Sequence, residues 1–163
     1  MQLPDQSGDP LAIFRVLTQA GVPFVIMGGH AVIFHGYIRT TEDADVVFRR
    51  TPATEAALLR ALQSIQACWI SNEKDPVTRE HRLVPVSESY LQAQHLMMLA
   101  TDLGFLDLYD YVPGFPDVPV EELFADSVAL NELRFVSLAW LRKLKARAAR
   151  HKDLDDLEHL PST

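Results

Sequence analysis

Apolar and polar positions change period several times along the chain, and each change marks an element. Asp9-Pro10 can cap and open a helix running to about Ala20, where Gly21 stops it; Leu11, Phe14, Leu17 and Thr18 form its core-facing stripe. Phe24 to Met27 is an unbroken apolar run that predicts a short buried strand, Gly28-Gly29 predicts a turn, and His30 to His35 opens a helix. Val46-Val47-Phe48 predicts a further strand. Thr51-Pro52 opens a second long helix to about Gln66, burying Leu58, Leu59, Leu62 and Ile65. Leu96 to Thr101 and Phe105 to Val112 read as two strands joined by a turn at Asp102-Leu103-Gly104. Residues Pro113 to Pro119 form a loop, Val120 to Phe124 a short helix, and Ser127 to Leu130 with Arg134 to Val136 a hairpin around Asn131-Glu132, before Ser137 caps the last long helix. The pattern is weakest from Ser71 to Gln94. There Asn72 to Pro76 is turn-like and Ser87 to Gln94 fits a helix or a loop, so substrate-facing variation is expected in this stretch.

Chemistry enters with Asp43-Ala44-Asp45. In a strand, residues two apart share a face, so both carboxylates project together while Ala44 points away. Their Cα atoms would stand about 6.6 Å apart, close enough for flexible carboxylates to hold two divalent ions jointly at the spacing used in two-metal phosphoryl chemistry. Without a cation the pair repels by about 2 kcal/mol at an effective dielectric near 20. An Asp-rich turn ahead of a strand would give the same three letters.

The glycine pair adds a second signal. An apolar strand, two residues without side chains and a helix start place free backbone N–H groups beside any ligand, an arrangement that suits phosphate. The segment matches neither the G-x-x-x-x-G-K-[ST] phosphate loop nor the G-x-G-x-x-G dinucleotide turn.

Composition narrows the setting. With 163 residues, 48% hydrophobic and 23% charged, the chain is expected to form one domain, 1–163. The start Met1-Gln2-Leu3-Pro4-Asp5 lacks the basic and apolar regions of a leader, and no apolar run reaches spanning length, so a cytoplasmic protein without a membrane is expected. Cys68 is the only cysteine, which excludes an internal disulfide and a Cys-based zinc site. A net charge of −7 argues against nonspecific coating of nucleic acid but allows a local basic groove among Arg142, Lys143, Lys145, Arg147, Arg150 and Lys152.

Gly28-Gly29-His30-Ala31, Gly36, Arg39-Thr40, Asp43-Ala44-Asp45 and Asp107 in Phe105-Leu106-Asp107-Leu108 together resemble the nucleotidyltransferase superfamily, whose fold is that of DNA polymerase beta. The run Val136 to Lys145 followed by Arg150 to Leu157 resembles its small prokaryotic branch of abortive-infection and toxin-antitoxin nucleotidyltransferases. The likeness spans about Val22 to Leu160. It implies an α+β fold with a mixed central sheet flanked by helices, a core over about 22–112 and a C-terminal helical part over about 137–160. It further implies that Asp43, Asp45 and Asp107 bind Mg2+ or Mn2+, that Asp107 helps activate the attacking hydroxyl, that Gly28 and Gly29 line the triphosphate, and that Lys145 reaches its phosphates. The implied reaction moves a nucleoside monophosphate from a nucleoside triphosphate to a hydroxyl on RNA, protein or a small molecule, in a protein that belongs to a toxin-antitoxin pair or works with a protein partner or a second copy of itself. One departure is that many members carry Gly-Ser at the turn, where this chain has Gly29 followed by His30.

Several alternatives stay open at this level. His30 either contacts phosphate or caps a helix. Arg39 either pairs with phosphate bidentately or forms an ion pair with Glu42 or with one of the two aspartates that follow it, Asp43 or Asp45. Asp107 and Asp110 alternate, and Asp107, in company with Phe105 and Tyr109, is the better candidate for the site. Lys143 lies roughly 200° from Lys145 around a helix, so both cannot face one site. His151, Asp155 and His159 share a helix face, but a solvated face explains them better than a metal site does. A noncatalytic nucleotide-binding or antitoxin-like partner that keeps the fold, and a phosphoester hydrolase using the same carboxylates, are the competing functions.

Overall fold

The computed structural model describes residues 8–163, so the leader-less reading of residues 1–5 lies outside the described residues. The described elements, in chain order, are α1 (Pro10–Gln19), β1 (Phe24–Ile26), α2 (Gly28–Phe34), β2 (Ala44–Phe48), α3 (Pro52–Ser64), β3 (Cys68–Lys74), β4 (His81–Pro85), α4 (Glu88–Ala93), β5 (Leu96–Thr101), β6 (Gly104–Tyr109), α5 (Val120–Ala125), β7 (Val128–Leu130), β8 (Leu133–Phe135), α6 (Leu138–Ala148) and α7 (His151–His159). All eight strands join one sheet in the order β4-β3-β5-β6-β2-β1-β8-β7. It is mixed: β2 runs parallel to β6 and β1 parallel to β8, while the other neighbours are antiparallel. This is the α+β arrangement expected from the sequence.

The caps explain where the helices begin. Asp9 accepts from the Ala12 amide at 3.0 Å, Thr51 from Thr54 at 3.1 Å and Ser137 from Trp140 at 3.1 Å, each satisfying an amide that the first turn leaves without a partner. The buried face of α1 differs from the expected stripe. Ile13, Phe14 and Leu17 are buried and Leu11 is 59% exposed, because at 100° per residue Leu11 lies about 110° from the centre of the buried arc. The glycine pair is not a loop ahead of α2 but its first turn, with Gly28 at φ +64°.

Between Ser71 and Gln94 the structure supplies what the pattern left blurred. β3 continues through Lys74, the turn starts at Asp75, and Ser87 caps α4. The β3–β4 register shifts between Ile70 and Lys74, so apolar residues there do not alternate cleanly.

One sheet face packs Met97, Leu99, Leu106, Leu108 and Val46 into a core with α1, α3 and α4. α2 packs against β2, and α6 against α2 and α7, while Met98 of β5 and Ile70 of β3 are exposed on the face opposite this core. Among the described residues, no helix is long and apolar enough to cross a membrane.

The C-terminal helical part is broken between α6 and α7. Ala149 takes a left-handed conformation, φ 51°, and Asp153 accepts from the backbone N–H of Arg150 at 3.1 Å to start α7. An alanine in that conformation carries a Cβ penalty that glycine avoids. Ala149→Gly is expected to raise the melting temperature by about 1–2 °C, equivalent to about 0.5 kcal/mol, and calorimetry of the two proteins checks it.

Candidate functional site

The register of β2 against β6 makes the site. Ala44, Asp45, Val46 and Val47 stand opposite Leu106, Asp107, Leu108 and Tyr109, so the strand alternation that buries Ala44, Val46, Leu106 and Leu108 in the core turns Asp45 and Asp107 together to the other face. Both carboxyl groups line one pocket. Asp43 is exposed at the mouth of β2.

Around them lies a pocket of about 270 Å³. Gly28 and Gly29 form one wall, Tyr109 and Pro113 another, and Leu144, Lys145, Ala148, Arg150 and Lys152 of the C-terminal part close it. Of the residues singled out in the sequence, Gly28, Gly29, Asp43, Asp45, Asp107 and Lys145 all line this pocket, whereas His30 and Arg39 do not. A larger, open hollow of about 610 Å³ beside Arg49 and Glu121 contains none of these residues.

Electrostatics mark the pair. Burial, then the charges of Asp107 and Asp43, push the Asp45 carboxyl up to about 7. Burial, then Asp43, push Asp107 up to about 6. The two titrate as a coupled unit. Tyr109 beside them is raised to about 12 by burial and by the same carboxylates.

Glycine is required at both turn positions. A Cβ on Gly28 would overlap the Asp45 carboxylate, and one on Gly29 would overlap the Thr41 side chain, hydroxyl first. The serine common at the second position in the resembling family therefore has no room here, and a threonine hydroxyl from the neighbouring loop occupies that space.

His30 is turned inward. Its ring meets Phe14 edge-on at 5.4 Å between centroids, its Nε2 has no hydrogen-bond partner, and burial followed by the Arg39 charge lowers its pKa. Arg39 forms an ion pair, though with neither Glu42 nor a site aspartate: its Nε and a terminal nitrogen donate to both oxygens of Asp156 at 2.7 and 2.9 Å.

Lys145 is buried and its ammonium is shared between Asp153 at 3.0 Å and Asp156 at 2.8 Å, both carboxylates fully buried. Lys143 lies over the Trp140 ring at 4.5 Å, away from the pocket as the helical spacing required. Arg150 and Lys152 belong to the basic stretch of which only Lys145 was expected to reach the phosphates. Both line the pocket, Arg150 braced by Asp153 at 2.7 Å and Lys152 making no ion pair among the described residues. No local sequence signal marks the break that brings them there: Ala149 is left-handed without being glycine, and a new helix phase starts after it.

His151, Asp155 and His159 form no ligand set. Tyr37 donates to Asp155 at 2.9 Å and stacks on His159. As the side chains stand, no three His, Cys, Asp or Glu among the described residues close on one ion position.

No family model matches the sequence, and no curated protein does. Among solved structures, an antigenic nucleotidyltransferase-like protein from Paracoccidioides brasiliensis is similar over 91% of this chain and 71% of its own, at 17% identity and TM-score 0.50. JHP933 from Helicobacter pylori is similar over 96% of this chain and 66% of its own, at 18% identity and TM-score 0.47. The chain thus spans about two thirds of the length of the structures it matches. The first likeness shows a nucleotidyltransferase-like fold.

Two outcomes are expected. Gly29→Ser should destabilise the protein by about 1–3 kcal/mol through overpacking against Thr41, and adding Thr41→Gly should recover most of the loss; denaturant melts of the single and double variants measure both. For the acids the folded pKa lies above the unfolded one, so stability without divalent ions is full below about pH 4 and falls as pH rises toward 7. Asp45→Asn should flatten that fall and raise metal-free stability at pH 8 by about 2 kcal/mol, seen as a melting temperature several degrees above that of the unmodified protein. A lower melting temperature at pH 8 would contradict the assigned repulsion.

Proposed function

We propose that this chain, whose fold is nucleotidyltransferase-like, transfers a nucleoside monophosphate from a nucleoside triphosphate to a hydroxyl acceptor, with Mg2+ or Mn2+ held by Asp43, Asp45 and Asp107. The observation that carries this reading is the pairing of Asp45 with Asp107 on adjacent parallel strands, beside a wall made of two glycines. The donor set fits such an ion. It consists of carboxylate oxygens, the hard ligands divalent cations of this kind take, and Asp45 and Asp107 stand opposite one another on adjacent strands where a cation would relieve their repulsion. When bound, the ions would neutralise charge on the reacting phosphoryl group and lower the pKa of the attacking hydroxyl.

The chain's own groups supply the remainder. Asp107, opposite Asp45 on the neighbouring strand, would help take the acceptor's proton. The acceptor oxygen bonds to the α-phosphorus, the bond from that phosphorus to the α–β bridging oxygen breaks, and pyrophosphate leaves. Gly28 and Gly29 let the triphosphate approach the backbone, and the Thr41 hydroxyl offers the contact that Gly29 lacks. Arg150 and Lys152 face the phosphates, while Lys145, tied to Asp153 and Asp156, holds the helix pair that presents them. Arg39 acts through Asp156 to fix the loop leading to Asp43. The sequence resemblance alone supports a place in a toxin-antitoxin pair.

Melting with Mg2+ or Mn2+ and each nucleoside triphosphate should show stabilisation of a few degrees. Incubation with α-labelled triphosphate and cell extract should yield a covalently labelled acceptor. Asp43→Asn should abolish the labelling, and Arg150→Ala or Lys152→Ala should raise the KM for triphosphate about tenfold, the loss of one charge-assisted contact. No stabilisation by any metal–triphosphate combination, or equal labelling by Asp43→Asn, would overturn the assignment.

A further inference from the structure

The sheet face that carries the carboxylates continues past them toward the edge. Residues directly opposite one another on adjacent strands project from the same face. Asp45 pairs with Asp107, Asp107 with Met98, and Ile70 with Leu83. Trp69 pairs with Leu99, so one further antiparallel step sets Ile70 beside Met98. Asp45, Asp107, Met98, Ile70 and Leu83 therefore form one row across five strands. At about 4.8 Å per strand its apolar part reaches about 14 Å from Asp107 to edge strand β4.

The row is open. Met98 is 60% and Ile70 41% exposed, and half-buried Leu83 and Phe105 flank them. The opposite face of the same strands is covered, with Leu99 and Leu106 buried and Trp69 stacked on Tyr90 of α4. Contiguous exposed apolar side chains mark an interaction surface.

Resting on the transfer reading above, we infer that this row is the acceptor-docking track and that its occupant is a polypeptide presenting a Ser, Thr or Tyr hydroxyl to Asp107. The triphosphate takes the side of the carboxylates lined by Gly28, Gly29, Arg150 and Lys152. An acceptor that shares Asp107 must then approach from the other side, across Met98. Charge selects its class. A nucleic-acid acceptor would lay phosphates along a row that holds no cation and ends at carboxylates, whereas such binding depends on cations that neutralise phosphate. The charged groups at the β3–β4 tip, Glu73, Lys74, Asp75, Arg79, Glu80 and Arg82, are balanced in sign, and Arg82 pairs with Glu73 at 3.4 Å. Apolar side chains of a polypeptide match the row instead.

The test uses the full chain with α-labelled nucleoside triphosphate and Mg2+ or Mn2+, offered separately bulk protein and total RNA from one lysate of the source cell. The unmodified protein and the double variant Ile70→Ser with Met98→Ser are compared. Both positions are exposed, and melting checks that the variant is folded. Expected is protease-sensitive, RNase-resistant label that falls about tenfold or more in the double variant, the size of losing an anchoring contact, while the stabilisation by metal–triphosphate is unchanged. Label found in RNA, protein labelling untouched by the double variant, or metal–triphosphate stabilisation without any protein label would each overturn the inference and leave nucleotide binding standing. Absence of both stabilisation and label would remove the transfer reading together with this inference.

Discussion

Two carboxyl groups facing each other across adjacent parallel strands are the constraint around which this protein is arranged. The core cannot avoid the juxtaposition. Ala44, Val46, Leu106 and Leu108 must face α1 and α3, and the period of two then turns Asp45 and Asp107 to the opposite side in register. Apolar residues of similar size would be more stable at these positions, because buried like charges cost both desolvation and repulsion. The neighbours accommodate the pair: Gly28 has no side chain where the Asp45 carboxylate lies, and Arg150 and Lys152 bring positive charge to the pocket.

The second ionic cluster answers a different need. Asp153 and Asp156 are fully buried, yet their charges are satisfied by Lys145, Arg39 and Arg150 at 2.7–3.0 Å. These partners hold the Asp153 carboxyl down at about 2 against its burial, the reverse of what happens to Asp45 and Asp107. A buried network of this kind is weak evidence of net stability. Its geometric effect is specific: it ties the loop carrying Arg39 and Thr41 to α7 and fixes α7 against α6. One residue of that tie, Lys145, was assigned from the sequence resemblance to the phosphates; its position in the structure makes it the centre of the brace.

The parts of the fold legible in the sequence were those whose physics is local. Asp9-Pro10, Thr51-Pro52 and Ser137 cap helices through bonds to nearby amides, and the apolar run Leu96 to Ala100 and the alternation from Leu106 to Asp110, on either side of Asp102-Leu103-Gly104, mark two strands. The β3–β4 pair was blurred because its register shifts and its outer residues are polar and exposed. The Asp43–Asp45 spacing announced a shared face, and the resemblance added Asp107. Inward rotation of His30 onto Phe14 and capture of Arg39 by Asp156, 117 positions later, depend on tertiary packing that no local pattern encodes. The place of Arg150 and Lys152 in the pocket depends on the break at Ala149, whose left-handed conformation no glycine or proline announces.

The charge balance of the pocket also orders its ligands. Three acids face two cations whose charge is turned to the site, in a chain whose formal charge is −7. A bare triphosphate, carrying several negative charges, would meet carboxylates at close range in a partly desolvated setting, where repulsion is weakly screened. A divalent ion alone would be attracted but would leave Lys152, which makes no ion pair among the described residues, without an anion. The metal–triphosphate complex of the proposed reaction would satisfy both halves at once: its cation would meet Asp43, Asp45 and Asp107, and its phosphates Arg150 and Lys152. On electrostatic grounds that complex would suit the pocket better than either component alone, and it would leave the apolar row beyond Asp107 free for the proposed second substrate.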